Sequence, residues 1–494
     1  MGLRLSLVGA VLAALTEAAG AQQASGPPPP DPASQPASPI ERPEFREEAI
    51  GPAPGVATVG LGRSMALALE GNYALLGKAD QLQRARLTYG DTLAQFYPKL
   101  TPSYRRSSDD SSFGVELSQK LPWTGGSMKG SAGLDRLPQD KAPLDRESDL
   151  SLTLTQPLLR GLGPNAAFFG LRNSRRAKIA QERAFELQKQ RLLIQVAEAY
   201  YGVLLQRTLL GVARQSLRRN QALLRASEAR LKVGLVSKLD VFRAELLAAQ
   251  ARESEVAALT SLQSALETFR SHLGLGPSTP LEPEAGALPD DIRDDKEPLE
   301  VLVSRALAQR LDLQEVRDQV DDARRAASLA RQNLLPQLDL SLGFTRSGKS
   351  STFSDAWNLA DHRVSLSFST SYPLETTASR SRAALAGIDV EVSRRSLRQS
   401  EQEVETEVRG AVRNLDHIRT SLELQRRAVE VAEQQYRLAL LRYERGLASN
   451  FDVGEAEGYL VAARSALASL LKNHQVARLE LLRATGSLDP NREF

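Results

Sequence analysis

Two short segments concentrate the residues that could do chemistry. One is Gly234-Leu235-Val236-Ser237-Lys238-Leu239-Asp240, and the other is Gly446-Leu447-Ala448-Ser449-Asn450-Phe451-Asp452. Both read as turns between helices. The glycine supplies a left-handed C′ residue, the serine caps the next helix, and the aspartate three positions on completes the cap near the positive helix end. The copies differ one helical turn later, where the second has Glu455 and the first Arg243. Asp452 and Glu455 lie three apart, so both can face one side of a helix. Taken singly, such acids also fit a solvated helix surface.

Other chemistry is sparse. The chain has no cysteine, which removes disulfides, thiolate metal sites, a cysteine nucleophile and a lipid-acceptor cysteine together. His272, His362, His417 and His474 are scattered without ligand spacing, and no paired acid and base stands out. Neither an enzyme, a cofactor nor a metal site is expected. The 63 basic and 60 acidic residues are interspersed, which gives no electrostatic reason to favour nucleic acid.

The elements that carry the two turns repeat as well. A shift of 212 positions lays Arg230–Val241 on Arg442–Val453, Val196 on Val408, Ala199 on Ala411 and Gly274 on Gly486. A shift of 238 lays Ala68-Leu69 on Ala306-Leu307, Leu75 on Leu313 and Pro98 on Pro336. This is a tandem duplication, with units at 63–275 and 298–487, a linker or equatorial segment at 276–297 and a short tail at 488–494. Each unit has the same order. A helical segment (about 64–95, and 298–334) stops at a proline. An alternating, serine- and glycine-rich stretch follows, then a proline-free helical run (about 166–233, and 377–445), a glycine, and a last helix (238–273, and 450–486).

The proline-free runs imply rods of roughly 100 Å at 1.5 Å per residue. Val196, Val203, Leu210, Leu217, Leu224 and Leu231 recur every seven residues, as do Val408, Leu415, Leu422, Val429, Tyr436 and Tyr443. That spacing implies coiled-coil packing, while Ala213, Asn220 and Ser227 between them make a shallow seam shared with several neighbours. The strand pattern, as at Leu150–Thr155 and Val364–Ser369, fits either transmembrane barrel strands or a small soluble sheet. Two hairpins per chain are too few to close a barrel alone, because lipid tolerates no open sheet edge.

The start of the chain reads as an export address. Arg4, the apolar run Leu5–Leu15 and Ala19-Gly20-Ala21 predict a signal peptide over 1–21. Proline-rich residues 22–62 predict a disordered tether. Beyond it no apolar run reaches eighteen residues, which excludes a multi-span helical membrane protein.

These features together resemble the TolC-type outer-membrane efflux and secretion proteins, the outer membrane factor family. The residues that carry the resemblance are Leu152–Gly161 entering the long helix, Ala306-Leu307 with Arg310–Leu313, Leu335–Leu338, and the duplicated Gly-Leu-x-Ser turns. It implies a mainly α chain with a β-barrel portion. Three copies would build a twelve-stranded barrel in outer-membrane lipid, four strands from each, continued by a periplasmic α-barrel tunnel of twelve helices. It implies a periplasmic adaptor at the tunnel tips and, through it, an inner-membrane transporter. The turns at Gly234, Leu235, Ser237, Gly446, Leu447 and Ser449 would then dock the adaptor, and Asp452 and Glu455, with Asp240, would line the pore entrance. The implied function is a passive exit duct for a tripartite efflux pump or type I secretion system; the alternative is an exported periplasmic coiled coil without a pore. One departure stands out: Pro98–Pro157 is longer than Pro336–Pro373 and holds an extra hairpin-like piece, Phe113–Leu134, which reads as an elaboration of the outer end.

Overall fold

The computed structural model describes residues 57–488 except 108–110, 137–145, 233, 285–287, 291–296, 351, 353–354 and 356. The expected signal peptide, most of the tether and the tail beyond Leu488 lie outside the described residues. In chain order the elements are β1 (Ala57–Val59), α1 (Leu61–Gly71), α2 (Tyr73–Ala94), β2 (Lys99–Arg106), β3 (Ser111–Lys120), β4 (Ser127–Arg136), β5 (Arg146–Pro157) and α3 (Pro164–Ala167). Then follow α4 (Phe169–Lys232), α5 (Lys238–His272), β6 (Leu281–Pro283), α6 (Leu299–Gln309), α7 (Leu311–Gln332), β7 (Gln337–Ser350), β8 (Asp361–Ser371), α8 (Thr377–Glu444) and α9 (Asn450–Ala484).

Three sequence expectations need correction. Residues 57–62 do not belong to a tether: β1 pairs in parallel with β6 and α1 begins at Leu61. The single helices expected over 64–95 and 298–334 are each two, broken at Asn72 and Arg310. Among the described residues the sheet has six strands per chain rather than four, in the order β2-β3-β4-β5-β7-β8.

Both helix breaks have a tertiary cause. Asn72 is extended (ψ 120°), and its Oδ1 accepts the N–H groups of Ala74 and Leu75, which starts α2. Its Nδ2 donates to His272 O at 2.9 Å, the end of α5. Arg310, the counterpart of Asn72, is extended too (ψ 124°), and its Nη1 reaches Ala484 O at 3.3 Å, the end of α9. In both repeats, therefore, the break is tied to the end of the last helix. The chains approach so closely here that a Cβ at Gly274 would lie 2.0 Å from Gly71 O. Arg310 further grips Asp312 through two nitrogens (2.6 and 3.1 Å) and pairs with Glu407, which Arg483 also holds at 2.8 Å. Burial works against both charges, yet these bonds outweigh it: the Arg310 guanidinium is raised and the Asp312 carboxyl lowered. The Arg310 side chain is only 10% exposed. Arg310→Ala is thus expected to cost about 2–3 kcal/mol, since it strands half-buried carboxylates. The thermal midpoint of the helical signal should fall by about 2–3 °C. An unchanged midpoint would deny the network this role.

The long helices form two hairpins, α4–α5 and α8–α9. The largest core lies midway, where Leu192, Leu193, Val196, Tyr200 and Val203 of α4 meet Phe269 and Leu273. The heptad residues of α4 do not stay inside. Val196, Val203 and Leu210 are buried, but further along Asn220, Leu223 and Ser227 take their place, leaving Leu217, Leu224 and Leu231 half-buried. A straight α-helix drifts about 20° per heptad from a seven-residue repeat, which rotates the stripe off the seam. Other apolar residues stay outside in the single chain: Leu424, Val431 and Leu438 on α8, and Leu239, Phe242 and Leu246 on α5.

The sheet divides cleanly between its faces. Directly paired residues share a face. Across the six strands one face reads Leu100, Val115, Leu117, Ala132, Leu150, Leu152, Leu342, Phe344, Val364 and Leu366. The other reads Ser103, Gly114, Glu116, Ser131, Ser151, Thr153, Ser341, Gly343, Ser365 and Ser367. No helix among the described residues is long and apolar enough to cross a membrane.

Candidate functional site at the helix-hairpin tips

The two Gly-Leu-x-Ser turns adopt the same conformation. Gly234 has φ +73° and Gly446 +74°, the left-handed region that glycine enters without steric cost. Gly234 N–H donates to Leu231 O and Leu235 N–H to Arg230 O, both at 2.9 Å; Gly446 N–H and Leu447 N–H bond Tyr443 O and Arg442 O in the same way. Four carbonyls at the two helix ends are thereby satisfied.

Each following helix begins with a reciprocal cap. Asp240 N–H donates to Ser237 Oγ at 3.3 Å, while Ser237 N–H and Oγ donate to Asp240 Oδ2 at 3.1 and 2.7 Å. Asp452 N–H donates to Ser449 Oγ at 3.3 Å, and Ser449 N–H and Oγ return bonds to Asp452 Oδ2 at 2.7 and 3.0 Å. The backbone bond from Ser449, then the hydroxyl bond, hold the Asp452 carboxyl below the usual aspartate range. Glu455 accepts the Tyr459 hydroxyl at 3.1 Å. Asp452, Glu455 and Tyr459 all lie on the exposed side of α9, whereas Asp240 is half-buried and 3.9 Å from the Arg243 guanidinium. The two copies of the cap thus face different electrostatics.

The structure brings both turns to one end of the molecule through residues the sequence did not single out as a site. Arg230 crosses from α4 and donates to Tyr443 O and Glu444 O at 2.6 and 2.8 Å, its guanidinium stacked 4.3 Å from the Tyr443 ring centre. Ser227 Oγ bonds the Tyr443 hydroxyl at 3.0 Å. The buried Asn450 donates to Ser227 Oγ at 2.8 Å and to Asp240 O at 2.9 Å. These four side chains tie one hairpin tip to the other. The signal was present: Ser227 occupies a coiled-coil position where an apolar residue is usual, and Tyr443 replaces the leucine of the first copy. Leu235 and Leu447, at the apices, are 74% and 75% exposed.

Long paired helices, a two-faced sheet at one end and twin turns at the other have known counterparts. Residues 65–275 and 302–487 match the family of outer membrane efflux proteins. The chain belongs to that family. Among curated relatives, this outer membrane efflux protein is 26% identical to the outer membrane protein TolC of Escherichia coli over 322 residues, 63% of this chain and 64% of TolC, just under two thirds of its length. It is 25% identical to the alkaline protease secretion protein AprF of Pseudomonas aeruginosa over 362 residues, 70% of this chain and 71% of AprF. Its fold is that of the outer membrane channel CmeC of Campylobacter jejuni, with a TM-score of 0.67 at 15% identity over 87% of each chain. The family is one of outer-membrane efflux proteins, and the two-faced sheet is the part of this chain whose alternation suits lipid on one side.

Proposed function

We propose that three copies of this chain form a duct through the outer membrane and across the periplasm, giving passive exit to cargo delivered by an inner-membrane transporter. The observation that carries this reading is the sheet: apolar on one face, polar on the other, and open at both edges. Every residue of the edge strands β2 and β8 is exposed in the single chain. Lipid tolerates neither free edge, so neighbouring copies must supply the missing pairing. The exposed apolar stripes on α5 and α8 supply matching contacts along the helices. AprF, a relative by sequence, carries secretion in its name, and the solved channel CmeC carries the same architecture. Export rather than catalysis is the activity this supports. A detergent-solubilised trimer that opens conducting pores in a planar bilayer is the expected result; a monodisperse monomer without conductance would overturn it.

The tips serve two roles in this reading. Leu235 and Leu447, presented by Gly234 and Gly446 and fixed by the Ser237 and Ser449 caps, form the docking surface for a periplasmic adaptor protein. Asp452 and Glu455, with Asp240 behind them, line the entrance. Gly234→Val or Gly446→Val forces a β-branched residue into positive φ. Nothing lies within 4 Å of a Cβ at either position, so backbone strain alone acts and remains local to the turn. Each variant should still assemble in the outer membrane but lose most adaptor binding in a pull-down. Full binding by both variants would remove the turns from docking.

A further inference from the structure

The hairpin β3–β4 was expected to elaborate the outer end of the sheet. Instead its turn is built into the opposite rim, beside the helices. Leu121 N–H closes the turn on Gly126 O at 2.8 Å, and Gly163 N–H and Gln156 Nε2 both donate to Thr124 O at 3.1 Å. Gln119 Nε2 donates to Phe96 O at 3.3 Å, and Trp123 meets the Phe168 ring edge-on at 5.2 Å. A Cβ at Gly125 would lie 2.3 Å from Gly161 O, a closeness only glycine permits. Three exposed aromatics, Tyr97, Trp123 and Tyr372, sit at this same end of β2, of β3–β4 and of β8. That is the place of an interfacial girdle.

Both strands also run the height of the sheet. Each has 10 residues, the length a tilted transmembrane strand uses. They continue the division of faces without a break: Val115 pairs with Ala132 and Ala132 with Leu150 on one side, Glu116 with Ser131 and Ser131 with Ser151 on the other. A loop folded over the mouth would have no reason to keep this register.

We infer that β3 and β4 are wall strands, and that three copies close an eighteen-stranded barrel in which β8 of each copy pairs with β2 of the next. The inference rests on the three-copy duct proposed above. Strand direction permits the join: β2 leaves the helices and β8 returns to them, so an even count per chain makes every junction antiparallel. The walls also match in girth. Four helices per chain, α2, α4, α7 and α8, connect directly to the strands. Twelve helices spaced 8–10 Å apart need a circumference of roughly 100–120 Å. Eighteen strands 4.8 Å apart and tilted 35–45° need roughly 105–120 Å, and twelve only about 75 Å. A wall of eighteen strands therefore continues the helical wall without a constriction, and its exit is about half again as wide as one of twelve.

The absence of cysteine allows single-cysteine labelling of the full chain in outer-membrane vesicles. Glu116→Cys and Ser131→Cys should react with a water-soluble maleimide as fast as Ser341→Cys on the wall strand β7. Val115→Cys and Ala132→Cys should react at least tenfold slower, like Leu342→Cys. Native mass of each labelled assembly should be that of three chains. If Ser341 and Leu342 alternate while all four hairpin positions label alike, the hairpin lies outside the wall and the inference fails with the duct reading intact. If Ser341 and Leu342 do not alternate, or the mass is that of two chains, the duct reading itself fails and takes the count of eighteen with it.

Discussion

Replacing Asp452 and Glu455 together by alanine should strip the reconstituted duct of cation preference and of block by trivalent cations. In the proposed duct three copies would gather six of these carboxylates at the entrance. At effective dielectric constants between 20 and 80 each is worth on the order of 1 kcal/mol to a nearby unit charge. The concentration of trivalent cation needed for half block should accordingly rise by about tenfold or more. Ser449 Oγ still caps residue 452 through its backbone N–H, so the start of α9 survives and assembly should be unaffected. The pH dependence has a definite sign. A carboxyl held below its ordinary value keeps its charge, and its contribution to the fold, at all pH above the ordinary aspartate range, and loses both only as pH falls through the lowered value. In a Glu455→Ala background, where Asp452 alone carries the charge, selectivity at pH 5 should therefore equal that at pH 7. Unchanged block in the double variant would leave these acids as capping residues of an ordinary helix surface.

The second large effect is expected from untying the tips. Arg230→Ala removes two hydrogen bonds to the carbonyls of residues 443 and 444 and the stacking on Tyr443, and Tyr443→Phe removes the link to Ser227. Each bond is worth about 0.5–1.5 kcal/mol. In the proposed duct, losing them together shifts the equilibrium between joined and parted tips by roughly 2–4 kcal/mol, which is on the order of 30- to 1000-fold. Single-channel recordings of the double variant should show a several-fold higher resting conductance, with the trimer intact on native gels. Resting conductance equal to that of the unaltered protein would mean that the knot fastens the hairpins without closing the duct.

The legible parts of this molecule are those whose causes are local. Gly234 and Gly446 announce left-handed turns, Ser237 with Asp240 and Ser449 with Asp452 announce caps, and proline-free runs announce the rods; each is fixed by a few adjacent residues. The helix breaks at Asn72 and Arg310 were not legible, because their partners His272 and Ala484 lie 200 and 174 residues away. The extra strands hid for another reason. Gly114, Gly130 and Gly133 dilute the alternation of β3 and β4, and Trp123-Thr124-Gly125-Gly126 looks like any surface turn until its neighbours at Gly161 and Phe168 are known. At the tips the sequence singled out Asp240, Asp452 and Glu455 but not the Arg230–Tyr443–Ser227–Asn450 knot, whose members are polar residues in a coiled-coil seam and carry meaning only across the two repeats.

In the proposed duct that seam sets the thermal behaviour of the entrance. Around it only Leu223, Tyr443 and Val453 form a buried apolar cluster, against seventeen residues in the midway core, among the described residues. Parting the tips therefore wets polar groups together with this small cluster and the partly buried Leu247, Tyr436, Ala439, Leu440 and Ala448 packed against it. Apolar exposure raises heat capacity and polar exposure lowers it, so opening should carry a heat-capacity change far smaller than that of global unfolding. Its enthalpy would then vary little with temperature, and a van 't Hoff plot of open probability would run nearly straight where global unfolding of the same chain curves.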